Sequence, residues 1–113
     1  MRAQSDPGGE LYVMGAHTPD LVDECLRRVP ETDVYLCGHT HGGQLQIPGY
    51  GPLITMSRVS RTMAAGGVFP WTDGRLVALS RGVGMEGNYA PRFRLNCRPH
   101  VFLFTLCAPT ASR

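Results

Sequence analysis

Apolar positions in this chain gather into short runs set apart by polar and glycine-containing stretches. Residues 11–16, "LYVMGA", are too few for a helix and read as a buried strand ending at His17. The next stretch, "HTPDLVDECLRRV", places Leu21, Val22, Cys25, Leu26 and Val29 at helical spacing. Its start is signalled by Thr18 as N-cap and Pro19 at the first helical position. Asp20 and Asp23 add negative charge in the first turn, where the helix dipole favours it, and Pro30 ends the pattern. Residues 34–37, "VYLC", read as a second strand. Strand, helix, strand with tight links predicts an α/β unit with a parallel pair. The C-terminal ends of that pair carry His17 and His39, on the side where open α/β sheets collect ligands.

Beyond Gly43 the pattern changes. "GQLQIPGYG" alternates, with Leu45 and Ile47 on one face of a half-exposed strand, and residues 50–70 read as irregular and glycine-rich. "WTDGRLVALSRG" predicts a hairpin turning at Asp73 and Gly74. A last strand is expected at residues 101–106, "VFLFTL". No internal repeat or low-complexity segment is visible. The expected organisation is a polar segment at 1–10, one domain region at 11–107 and a small polar tail at 108–113.

Composition changes this picture little. With 113 residues the chain is one domain at most. No apolar run approaches the ~20 residues that span a bilayer, and "MRAQSDPGGE" lacks the apolar core of a secretory signal. A soluble, cytoplasmic chain is expected, or a membrane-peripheral one in a full-length form. A net charge of +2 gives no case for nucleic acid. All eleven basic residues are arginine, whose planar fork suits phosphate, and Arg92, Arg94 and Arg98 cluster. The four cysteines form no C-x-x-C pair, so a zinc ribbon or thioredoxin-type site has no support. Cys25, Cys37 and Cys107 lie in apolar patterns and read as reduced, buried thiols, with a disulfide left open.

The candidate chemistry lies in "GHTHGGQ", residues 38–44. On extended backbone His39 and His41 would point to the same side, and the flanking glycines let the chain turn tightly. Neutral imidazole is a common ligand for divalent transition metals, and His17 at the neighbouring strand end adds a third. The plainer alternative is a loop of hydrogen-bonded histidines.

Together with "AHTPD" at residues 16–20, this motif closely resembles the last two metal-binding blocks of the calcineurin-like metallophosphoesterases. The nearest branch is the bacterial group containing YkuE-like phosphohydrolases and a UDP-2,3-diacylglucosamine hydrolase. The resemblance extends through "LQIPG", "LSRGVG", "APRF" and "CRPHVFLFTL". It implies the C-terminal half of an α-β-β-α sandwich, with a mixed sheet and a glycine-rich β-hairpin region. By position, His17 and His39 resemble ligands of one metal, and His41 the ligand of the other. The implied activity is hydrolysis of a phosphoester or pyrophosphate bond at a binuclear centre of Mn, Zn or Fe ions. The implied substrate is a phosphorylated small molecule or lipid-nucleotide.

The family's D-x-H, G-D-x-x-D and G-N-H-D/E blocks, which supply the bridging aspartate and other ligands, do not occur in this sequence. The isolated chain is therefore expected to be inactive, with at most partial metal occupancy and no catalytic residue of its own. Two alternatives are a non-catalytic metal-binding fragment and one half of a split enzyme whose N-terminal half lies on another chain. Half a sandwich would also leave a sheet edge and a core face uncovered. Arg81 and Arg92 are weak candidates for phosphate contact, with salt bridges as the plainer role. Asp20 is a weak candidate for orienting His17, against its role as a first-turn acid. His100, where the branch usually has glutamate, reads as structural or exposed rather than as a ligand. "GVGMEG" at residues 82–87 matches a dinucleotide fingerprint literally, but Pro91 and turn residues oppose the helix such a site needs, so it reads as a glycine loop near the site's mouth.

Overall fold

The computed structural model describes residues 9–88 and 90–107. Its centre is a four-stranded sheet built from β1 (Val13–Ala16), β2 (Val34–Cys37), β5 (Gly67–Pro70) and β6 (Leu76–Leu79), in the order β1-β2-β6-β5. β1 and β2 are parallel, as are β2 and β6, whereas β5 runs antiparallel to β6. The sheet is thus mixed, and the fold is compatible with the α/β class. A separate ribbon pairs β3 (Gln46–Ile47) with β4 (Gly51–Pro52).

The strand-helix-strand unit forms as the pattern predicts. Thr18 caps the turn by accepting from the Asp20 amide, and Pro19 opens a single 3-10 turn, Pro19–Leu21, leading into α1 (Val22–Arg28). A helix of only seven residues depends on what it packs against. Val22 is fully buried, and Cys25 and Leu26 pack beside it against Tyr35, Cys37, Val77 and Leu79. Leu21 and Val29, read as part of that stripe, are 46% and 37% exposed because the first turn is 3-10 and the helix stops at Arg28.

Two expectations need correction. Residues 50–70 are not uniformly irregular: they hold β4, a short helix α2 (Arg61–Ala64) capped by Ser60, and β5. β5 is the first arm of the hairpin, and Asp73 takes the left-handed conformation at its turn. The half-exposed strand read around Leu45 and Ile47 is the short β3, where Ile47 is exposed. Residues 101–106 form no strand. Their last backbone link is His100 N–H to the Gly82 carbonyl at 3.0 Å, after which no neighbour offers a ladder. The segment instead meets the sheet face-on, where Leu36, Ala78, Phe102 and Phe104 line a shallow cleft of about 290 Å³. Val101 and Leu103 are 75% and 95% exposed. The proposed boundaries at 1–10 and 108–113 lie largely outside the described residues.

Two consequences are measurable by urea unfolding of this chain. Leu79→Ala, in a fully buried strand position, should cost about 2–5 kcal/mol. Leu103→Ala should change stability by less than about 0.5 kcal/mol, since its side chain is in water. A loss at Leu103 comparable to that at Leu79 would mean that residues 101–106 are a buried strand after all.

Candidate metal centre

The β1–β2 ladder runs in register from Val13 opposite Val34 to Ala16 opposite Cys37, and one further bond, Gly38 N–H to the His17 carbonyl at 3.1 Å, extends it. This register carries the chain past both strand ends together. His17 Nε2 lies 3.2 Å from His39 Nδ1, with the rings tilted at 57°. Two nitrogens bound to one tetrahedral metal ion stand roughly 3.3 Å apart, given metal–nitrogen bonds of about 2.0–2.1 Å. The pair therefore has the spacing of two ligands of one ion, which is also the spacing of a hydrogen bond.

The loop beyond does not have the geometry expected of an extended H-x-H. His39 and His41 both take positive φ, at 73° and 49°, so alternation of side chains does not apply. His39 turns to His17. His41 belongs to a 3-10 turn, His41–Gly43, and its Nδ1 is buried without a hydrogen-bond partner. Among the described residues no three His, Cys, Asp or Glu side chains converge on one point. An unpartnered buried imidazole nitrogen is nonetheless a donor suited to a cation. Burial and then the Arg94 charge hold the His41 ring below the ordinary imidazole range, which keeps it in the neutral, metal-competent form.

Glycine is required twice in this loop. A Cβ on Gly42 would lie 2.6 Å from the Arg81 stem and the Cys97 sulfur, and one on Gly43 would lie 2.3 Å from the Ile54 carbonyl oxygen. Both have positive φ as well.

Around these glycines sit Gln44 and Cys97, which the pattern of the chain did not single out, and Arg94 of the arginine cluster, whose fork is taken up by backbone carbonyls. Arg94 donates to the carbonyls of His41, Arg81, Gly82 and Gly84 at 2.6–3.2 Å. It thereby ties the histidine loop to residues 81–84. Gln44 is fully buried, with Nε2 donating to the carbonyls of Glu86 and Pro91 and Oε1 accepting from the Glu86 amide. Its own carbonyl accepts from Leu95 N–H. Cys97, not Cys107, is the buried cysteine of the second half, with its sulfur against the His41 and Gly42 carbonyls. All four thiols are free, and burial pushes Cys37 up to about 11, so it is inert at neutral pH. A cluster of arginine and the terminal Gln of "GHTHGGQ" were the available signals, but the type of contact each makes depends on the tertiary fold.

The weaker candidates divide. Arg81 lays its stem over Gly42 and Gly66, and its Nε is buried without a partner beside the histidine loop. Arg92 is exposed, running along Gly87. Neither forms an ion pair among the described residues. The Asp20 carboxylate accepts from Ser57 Oγ at 2.7 Å and Arg58 N–H at 2.8 Å, so it anchors the 57–58 segment, and no hydrogen bond joins it to His17 among the described residues. Residues 82–88 start no helix. Gly84 instead lies beside the His41 ring, as expected of a glycine loop at the site's mouth.

No family model matches this chain, and no solved structure matches it. Three curated proteins do. Phosphodiesterase YaeI of Escherichia coli is 41% identical over 91 residues, which is 80% of this chain and 30% of that protein. An uncharacterized metallophosphoesterase of Aquifex aeolicus is 33% identical over 97 residues, covering 86% of this chain and 33% of the relative. The uncharacterized metallophosphoesterase YkuE of Bacillus subtilis is 36% identical over 74 residues, or 66% of this chain and 24% of the relative. The chain thus spans a third or less of the length of these relatives. With this similarity in three relatives, the chain belongs to the metallophosphoesterase superfamily, of which it represents one part.

Proposed function

We propose that the chain is the C-terminal part of a metal-dependent phosphohydrolase and supplies histidine ligands for two divalent ions, His17 and His39 for one and His41 for the other. The observation that carries this reading is the 3.2 Å approach of His17 Nε2 to His39 Nδ1 at the ends of two parallel strands, with His41 set apart and its Nδ1 unpartnered. Imidazole donors favour Mn, Zn or Fe over Mg or Ca. They also bring no negative charge to repel a phosphate. Bound metal would polarise a phosphoryl oxygen and lower the pKa of bound water. The substrate would be a phosphoester or pyrophosphate of a small molecule or lipid-nucleotide, in keeping with a relative named as a phosphodiesterase.

The carboxylates of such a centre would come from the length that the relatives have and this chain does not cover, whether in the same polypeptide or on another. Room for that addition exists. β1 ends the sheet with no strand beyond it among the described residues, and Val13 on its outer face is 46% exposed. Arg81, with its unpartnered Nε beside Gly42, would contact the phosphate, whereas Arg92 would act only from the rim.

Calorimetric titration of Zn²⁺ into the chain should give histidine-dependent binding that weakens at least tenfold in the His39→Ala/His41→Ala double variant. Equal affinity would remove the metal reading. The chain alone, with Mn²⁺, should not turn over p-nitrophenyl phosphate or its diester. Turnover that disappears in His39→Ala would show that no further segment is needed.

His41 also gives a pH prediction without metal. Its folded-state pKa is lowered from 6.5, so the unfolded chain binds the proton more readily. Its contribution to stability is present above 6.5 and is lost as pH falls from there to the lower folded value. The thermal midpoint should therefore drop across that window, and less steeply in His41→Gln. Identical profiles would show that His41 is not held neutral.

A further inference from the structure

The rim of the candidate centre contains one carboxylate whose position is fixed by the histidine loop itself. Gln44, three residues after His41, grips residue 86 by its backbone, accepting from the amide and donating to the carbonyl. Arg94 makes a second link by donating to both the His41 and Gly84 carbonyls, and a Cβ on Gly84 would stand 4.0 Å from His41 Cε1. Two side chains, Gln44 and Arg94, thus hold the 84–86 segment to the 41–44 turn. The Glu86 side chain is in turn oriented by its own chain, since Oε1 accepts from the Gly87 and Asn88 amides at 2.7 Å each. Those amides hold the carboxylate below its usual range, so it is ionised at neutral pH, and the Gln44 grip keeps its backbone beside the histidine turn.

We infer that Glu86 is a positioning carboxylate of the metal centre, placed by Gln44 to strengthen divalent-cation binding at the histidines through space. The inference rests on the metal-binding reading given above. It adds a residue from outside the histidine blocks and assigns Gln44 the task of keeping that charge in place. A solvent-facing carboxylate acts on a dication through screened Coulomb attraction, which favours binding at low ionic strength and fades when the Debye length shrinks to about 3 Å in 1 M salt.

The test is Zn²⁺ titration of the chain at pH 7.5, in low salt and in 1 M NaCl, with Glu86→Gln and Gln44→Leu. Gln44 holds the backbone of residue 86, so Glu86→Gln removes the charge and leaves the tether intact. It should weaken Zn²⁺ binding about threefold to tenfold in low salt, with an unchanged thermal midpoint, and the difference should vanish in 1 M NaCl. Gln44→Leu should weaken binding similarly while lowering the midpoint. If that variant does not fold, the Glu86 comparison decides. Equal affinities of Glu86→Gln and parent in low salt, or a deficit that persists in 1 M NaCl, would overturn the assignment while histidine-dependent binding by the parent stands. Loss of that histidine dependence, read from His39→Ala in the same series, would instead overturn the metal reading and this assignment with it.

Discussion

The parallel hydrogen bonding of β1 to β2 does two things at once. It pairs Ala16 with Cys37, and through Gly38 N–H on the His17 carbonyl it carries that pairing one step past the sheet. Two side chains far apart in sequence then leave neighbouring strand ends on the same side, and the rest of the candidate centre is arranged around their meeting point. A slip of one residue would turn every β1 side chain to the other face and move His17 away from His39. What prevents the slip is the core. Met14 and Ala16 face Tyr35, Cys37 and the α1 stripe, while Val13 and Gly15 face outwards. The packing of a few small apolar side chains thus sets the spacing of two imidazoles.

Past the strands the organising constraint is backbone conformation. His39, His41, Gly42, Gly43 and Gln44 all have positive φ, a cost for the three that carry a Cβ. Such a turn persists only where its surroundings hold it. Here Arg94 and Cys97 reach it from later parts of the chain and bind its carbonyls, while Gln44, its last residue, reaches out to the Pro91 carbonyl. The loop that presents the histidines is therefore stabilised by residues about 50 positions further on, as with Arg94 and His41, 53 apart.

That division explains what could be read from the sequence. β2, the β5–β6 turn, the Thr18 cap and the parallel strand-helix-strand unit follow from local periodicity and turn chemistry, and they appear. The meeting of His17 with His39 follows from parallel topology alone. The left-handed histidines, the Gln44 tether and the Arg94 clamp do not, because each is fixed by long-range contacts that leave no periodic trace. Residues 101–106 went wrong for the same reason. Their β-forming composition is real, but a strand needs a neighbouring backbone to bond to, and no backbone ladder bond to them forms among the described residues. The place of that run in the fold is set by what adjoins it.

The Arg94 guanidinium has a consequence of its own. Among the described residues it meets carbonyl oxygens and no carboxylate, so its charge is solvated by dipoles and remains uncancelled as a monopole. The base of the histidine loop therefore carries a positive potential. Such a potential disfavours protons on the adjacent ring and attracts oxyanions to the same place. A metal entering at His41 would have little proton to displace there, and an incoming anion would encounter a field already in position before any metal is bound.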